Sequence, residues 1–327
     1  MQKYSLFASR LKVATFALAL VASMYSASAL TISPARIELN ADPGTTITNE
    51  FTIINEQDAE QTFYTSVENF EAQGESGTPN FTVSKEGFAG WVTVTDKITL
   101  KKNEKVKVQF AVNVPKDADA GGHFAAIFLS TVPPATKGGE VSVGAKVGML
   151  MLLRVSGDIK EGGGALSFAL KGDGHFATRL PINFVYRFNN TGNDRVNPVG
   201  NVIIKNMLGM ETIRLNANPA TGNVLPNSTR RFDVVWGSEQ ALPESASFWS
   251  HVKYEFNNFA FGFYFANLSI TFGASGSSNN SLSFFVLPWH LLVVIFAVII
   301  AVFLFLRASL KRYNKFIIQQ ARLANAK

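Results

Sequence analysis

Residues 105–115, Lys-Val-Lys-Val-Gln-Phe-Ala-Val-Asn-Val-Pro, alternate apolar and polar side chains along almost their whole length. Successive side chains of a strand point to opposite faces, so this period of two buries Val106, Val108, Val112 and Val114 on one side and wets the other. The adjacent pair Phe110-Ala111 leaves room for a bulge, and Pro115, which has no N–H to donate, ends the strand.

The same pattern spreads outward from this run. It recurs at 30–39, 46–54, 61–70, 91–95, 122–132 and 141–155, giving the seven strands that one immunoglobulin-like unit requires. Asp42-Pro43-Gly44 reads as a tight turn, with Pro setting φ near −65° and Gly free to take positive φ. A second set of strands is predicted at 166–170, 180–189, 199–204, 212–215, 229–236, 248–256 and 261–272, with turns at Asn189, Leu208-Gly209 and Asn223. No helical period is evident between residues 30 and 273. The fold class is therefore all-β: two tandem immunoglobulin-like β-sandwiches at 30–160 and 165–273. Glu161-Gly162-Gly163-Gly164 serves as the linker between them, and the Ser/Gly/Asn-rich residues 274–283 as a flexible stalk.

The two ends differ from this middle. Lys3, Arg10 and Lys12, a short apolar run and Ala27-Ser28-Ala29 make residues 1–29 a secretory signal peptide, the run being short for an uncleaved anchor. Residues 284–306 carry no full charge and are long enough for a single C-terminal transmembrane helix. Beyond them, Arg307, Lys311, Arg312, Lys315, Arg322 and Lys327 stand without an acidic residue, which places the tail 307–327 in the cytoplasm and the sandwiches outside the cell membrane.

Charge and composition narrow the function. The chain is +6 overall, but nine of its 30 basic residues lie in 1–29 and 307–327, leaving 21 against 24 acidic residues, a net of −3. A mildly acidic ectodomain is not a nucleic-acid binder. With no cysteine, the exported part is stabilised by apolar cores alone, and thiol chemistry is excluded. The search for catalytic patterns finds no phosphate loop, no nucleophile elbow and no zinc-protease helix. His123, His175, His251 and His290 are scattered, none with a second His at metal-ligand helical spacing. Glu38, Asp42, Glu68 and Glu255 are carboxylates that nothing local brings together as acid and base. His290, at the start of the span, is read as an imidazole reaching the interface. No catalytic residue, cofactor or metal site is expected.

The opening "ISPARIELNADPGTTITNEFTIINEQDAEQTFYTSVENF" from Ile32, the later "PKDADAGGHFAAIFLS" from Pro115, and "VGMLMLLRVSGDI" from Val147 resemble the first domain of the WxL-interacting cell-surface proteins of Gram-positive bacteria. Pro43 and Gly44, Asn55, and the turn from Pro115 to Gly122 carry that likeness, and the order of signal peptide, two sandwiches, helix and basic tail matches as well. It implies that the first domain contacts peptidoglycan and the second binds a partner surface protein. A weaker resemblance is to pilus-type periplasmic chaperones, which normally lack a C-terminal anchor. The reading is therefore a membrane-anchored scaffold or adhesion protein, with strand addition at a sheet edge as its binding mode. An assembly chaperone is the alternative, and a wall-modifying enzyme is disfavoured by the failed catalytic search.

One strand carries an anomaly. In 261–272 the even positions Tyr264, Ala266, Leu268, Ile270 and Phe272 form a core face, while Phe261, Phe263 and Phe265 fall on the outer side. A bulge near Ala266, cover by a loop or cover by the first domain would hide them. Otherwise these three phenylalanines are the candidate partner-binding residues.

Overall fold

The computed structural model describes residues 30–133, 146–172, 174–238, 242–243 and 245–325. The expected signal peptide and residues 141–145 of an expected strand lie outside these. The chain divides into two compact units, the first comprising residues up to 70 and 81–157, the second 71–80 and 158–327.

The first unit is a sandwich. One sheet runs β1 (Leu30–Ser33), β3 (Thr46–Asn55), β8 (Lys105–Asn113), β6 (Val92–Val94); the other runs β2 (Arg36–Ala41), β10 (Lys146–Val155), β9 (Gly121–Ser130), β4 (Gln61–Gln73), β5 (Thr78–Thr82), with β7 (Lys97–Leu100) also on β4. The run expected at 30–39 is two strands, because the chain changes sheets at the cis Ser33–Pro34 peptide: β1 pairs antiparallel with β3 and β2 parallel with β10. The β3–β8 register is unbroken from Thr46↔Asn113 to Ile54↔Lys105, so no bulge forms at Phe110-Ala111. Val108, Phe110, Val112 and Val114 all enter the core, where they meet Phe51, Phe63, Ile127 and Met151. A short helix, α1 (Phe88–Trp91), buries Phe88 against the same core.

The turn residues act as their chemistry suggests. Gly44 takes φ 78°, and its N–H reaches the Pro115 carbonyl at 3.0 Å. Asn55, fully buried at the end of β3, donates to the carbonyls of Ala59, Leu100 and Lys101 and accepts the Gln57 N–H, tying three chain segments together.

The second unit is also a sandwich, with sheets β11 (Gly163–Leu170), β13 (Ile182–Asn190), β16 (Ser228–Trp236) and β12 (Phe176–Ala177), β18 (Gly276–Val286), β17 (Gly262–Phe272), β14 (Val199–Asn206), β15 (Glu211–Asn216). Its core is rich in aromatics: Phe184, Tyr186, Phe188, Trp236 and Phe284 are all buried. Burial pushes the Tyr186 phenol above its ordinary value, and its hydroxyl donates to the Ala217 carbonyl at 3.1 Å. Arg187 donates to Glu75 within this unit, and the guanidinium holds that carboxyl below its usual range.

Four expectations change here. The glycines at 163 and 164 are strand residues, not linker: Gly163 has φ 149°, and a Cβ there would lie 2.4 Å from the Asn189 carbonyl oxygen, a close approach only glycine permits. Residues 276–283 of the expected stalk, together with Phe284, Phe285 and Val286 of the expected span, form β18, paired with β17 along its whole length. Its inward Leu282, Phe284 and Val286 are buried, while Ser277, Asn279, Ser281 and Ser283 face out, so half the strand looks like a polar tether. The expected strand at 248–256 is a helix, α2 (Phe248–Asn257), whose N-cap Ser247 accepts the Ser250 N–H. The terminal helix, α3 (Trp289–Asn325), starts later than expected and continues through the basic tail; its stretch Trp289–Ile318 is long and apolar enough to cross a membrane.

Candidate functional site

Phe263 and Phe265 lie on β17 and Phe261 just before it. The β17–β18 register runs without a shift from Gly262↔Val286 to Phe272↔Gly276, so no bulge at Ala266 turns these rings inward. Tyr264, Ala266, Leu268, Ile270 and Phe272 are buried, and Phe261, Phe263 and Phe265 are 44%, 56% and 46% exposed. The period-two reading of this strand therefore holds. The rings lie against Phe285 of β18, with centroids 4.8 Å away for Phe263 and 6.1 Å for Phe261, and Phe176 stacks on Phe285 from the other side.

This outer face changes character along the strands. Near the start of β17 it carries Phe263 opposite Phe285 and Phe265 opposite Ser283; farther along it carries Asn267 opposite Ser281, Ser269 opposite Asn279 and Thr271 opposite Ser277. The aromatic end is the end that leads into α3, since β18 stops at Val286 and α3 begins at Trp289. The β14–β15 turn lies there too: Asn206 is registered with Tyr264, and the turn exposes Met207, Leu208 and Met210.

A buried joint fixes α3 to this end. Glu255, 1% exposed, places Oε1 2.6 Å from His290 Nδ1, and its Oε2 accepts the Leu291 N–H at 2.8 Å. That amide belongs to the first turn of α3, where no intrahelical acceptor exists, so Glu255 caps the helix from outside. The His251 and Trp289 rings both stack on His290, with centroids at 4.5 Å and 3.6 Å. His290 is thus packed against protein rather than reaching an interface. His251 and Glu255 are four residues apart on one helix face, a pairing hidden while 248–256 was read as a strand. Among the described residues no group of three or more His, Asp or Glu could hold a metal ion. The other carboxylates have separate partners: Glu38 lies 3.5 Å from Arg36, Glu68 2.6 Å from Lys146, and Asp42 accepts from the Ser156 hydroxyl. His123 and His175 meet backbone carbonyls.

The first unit offers a different feature, an open sheet edge. β10 pairs with β9 from Lys146 to Val155 but with β2 only from Leu150 onward, where the Leu150 N–H reaches the Ala35 carbonyl at 2.9 Å. Since Leu150 directs its N–H toward β2, strand alternation directs those of Gly148 and Lys146 to the same side. No strand among the described residues pairs with them there.

No family model matches the chain, and no curated protein matches it in sequence. Among solved structures it is similar to the class 5 fimbriae chaperone CfaA, at 12% identity and TM-score 0.37, covering 78% of this chain and 99% of that one. The E. coli chaperone DraB matches at 12% identity and TM-score 0.33, covering 78% and 97%. The Pseudomonas aeruginosa CupB2 chaperone matches at 10% and 0.34, covering 77% and 99%. Likeness at this level assigns no activity to the chain.

Proposed function

We propose that this chain is a membrane-tethered, extracytoplasmic binding module that holds another exported protein by adding a strand of that partner to an open sheet edge. The observation that carries the reading is the half-edge of β10 at residues 146–149, which no strand among the described residues pairs with because β2 begins too late. Unpaired backbone donors and acceptors at such an edge are satisfied together by one extended segment. The apolar helix holds the sandwiches at the membrane, and the basic residues that follow favour a cytoplasmic end.

A surface scaffold and an assembly chaperone would both use this edge; the fate of the partner separates them. Crosslinking on intact cells, followed by detergent solubilisation and pull-down, yields a mature surface protein in the first case and a secretion intermediate in the second. Retention on purified peptidoglycan with no crosslinked protein would replace a protein partner by wall polymer.

The edge itself is tested with Lys146→Pro, which removes an outward N–H at the first residue of a strand, where proline is tolerated. Lys146→Ala keeps that N–H and removes the same contact with Glu68. Recovered partner should fall at least tenfold, on the order of one bidentate strand contact, in the Pro variant alone. Equal capture by wild type and Lys146→Pro would refute the edge.

A further inference from the structure

We propose that the α3-proximal end of the second sandwich is a lipid-docking surface, on which Phe261, Phe263, Phe265 and the β14–β15 turn insert into the bilayer interface beside the helix. Among the described residues before Val293, 15 large apolar side chains are exposed, and all but Val83, Leu166 and Val199 gather at this one end. They come from separate elements: the turn with Leu208, the start of β17, β12 with Phe176, and α2 with Trp249 and Phe256. Elements that share nothing in sequence share this exposure at the end that leads into α3.

The face grades from phenylalanine beside the helix to serine, asparagine and threonine away from it. A protein partner calls for a patch with a polar rim all round, whereas a bilayer imposes a polarity that varies along its normal, with aromatic side chains at headgroup level. Lys205, cross-strand from Phe265, and Lys253, between Trp249 and Phe256 on α2, are exposed at this level, as cations that meet lipid phosphate would be.

Helix length sets the depth. The uncharged residues 289–306 span about 27 Å, against a hydrocarbon core of ~30 Å. With Arg307 at the far interface, Trp289 is drawn level with the near one. Only Leu287 and Pro288 separate it from β18, and the Glu255 cap holds α2 against the same turn. The sheet end is thereby held at the headgroups.

The proposal rests on α3 spanning the bilayer, and its test reports on both. The chain has no cysteine, so Leu208→Cys, Phe263→Cys, Ser269→Cys and Ala301→Cys can each be spin-labelled in the full chain. The labelled proteins are reconstituted in vesicles of phosphatidylcholine and phosphatidylglycerol. Labels at 208 and 263 should behave like the one at 301, with oxygen accessibility exceeding that of a nickel chelate, and the label at 269 should show the reverse. Nickel access at 208 and 263 with 301 still in lipid overturns the docking surface alone. Shielding of 208 and 263 from both reagents overturns it too, in favour of a second copy of the chain. Nickel access at 301 removes the spanning helix and the proposal with it. Brominated lipid provides a label-free check: Trp249→Phe should remove a quenched component of the emission, and no change in quenching counts against the surface.

Discussion

Asn190 shows how much a single buried amide can organise in the absence of disulfides. It is fully buried at the end of β13, where Nδ2 donates to the carbonyls of Asp194 at 2.8 Å and Val224 at 2.9 Å, and Oδ1 accepts the Gly192 N–H at 2.9 Å. Asn55 does the same in the first unit, so each sandwich closes one strand end with an asparagine. Alanine at 190 would take away the acceptor of the Gly192 N–H and the donor to the Asp194 carbonyl, and leave the Val224 carbonyl with the Val196 N–H alone, in a buried site. The expected cost is about 3 kcal/mol, a few times one net hydrogen bond because unmade buried bonds are penalised in full. Urea unfolding of the Asn190→Ala protein in detergent measures it. A shift in midpoint equivalent to less than ~0.5 kcal/mol, the range of neutral surface substitutions, would mean the loop reorganises around the loss.

At the scale of elements, the joint between α2 and α3 is the structure that sequence reading could not reach. Glu255 lies 35 residues from His290, and the pair is only visible once 248–257 is a helix. Removing its carboxylate should free the first turn of α3: in Glu255→Ala the Leu291 amide should exchange at least tenfold faster, with roughly 2–3 kcal/mol lost, the scale of a buried hydrogen bond to a charged group. Unchanged exchange at Leu291 would show that water replaces the cap. The aromatic content of this helix is that of a strand: Phe248, Trp249, Tyr254 and Phe256 favour pleated surfaces, and the Ser247 cap is evident only from its bond to the Ser250 N–H. β18 was hidden for the opposite reason: its outward serines and asparagines are those of a loop, and its burial begins only at Leu282. By contrast β8 and β17 were legible, because a strand with one wet and one dry face writes its period directly into the residue types. The outward direction of Phe261, Phe263 and Phe265 was legible for the same reason. The open edge of β10 was not, since it depends on where a partner strand more than 100 residues earlier begins.

For the whole molecule, the decisive quantity is the asymmetry of charge about α3. Its apolar stretch is followed by Arg307, Lys311, Arg312 and Lys315 on the same helix, whereas residues 273–288 before it contain no charged side chain. Basic residues near one end of a span bias that end to the cytoplasm, and long side chains of this type can snorkel from the last turns to the headgroups without leaving the helix. The proposed orientation then puts the sandwiches outside, in a chain that has no cysteine. Protease added to intact, wall-stripped cells should digest both sandwiches and leave an epitope fused after Lys327 protected, until detergent opens the membrane. Replacing Arg307, Lys311, Arg312 and Lys315 with Gln should make part of that epitope accessible, because the orientation signal is removed while the apolar stretch is retained. Digestion of the epitope in the unaltered protein on intact cells would reverse the assignment, and with it the extracytoplasmic partner proposed for β10.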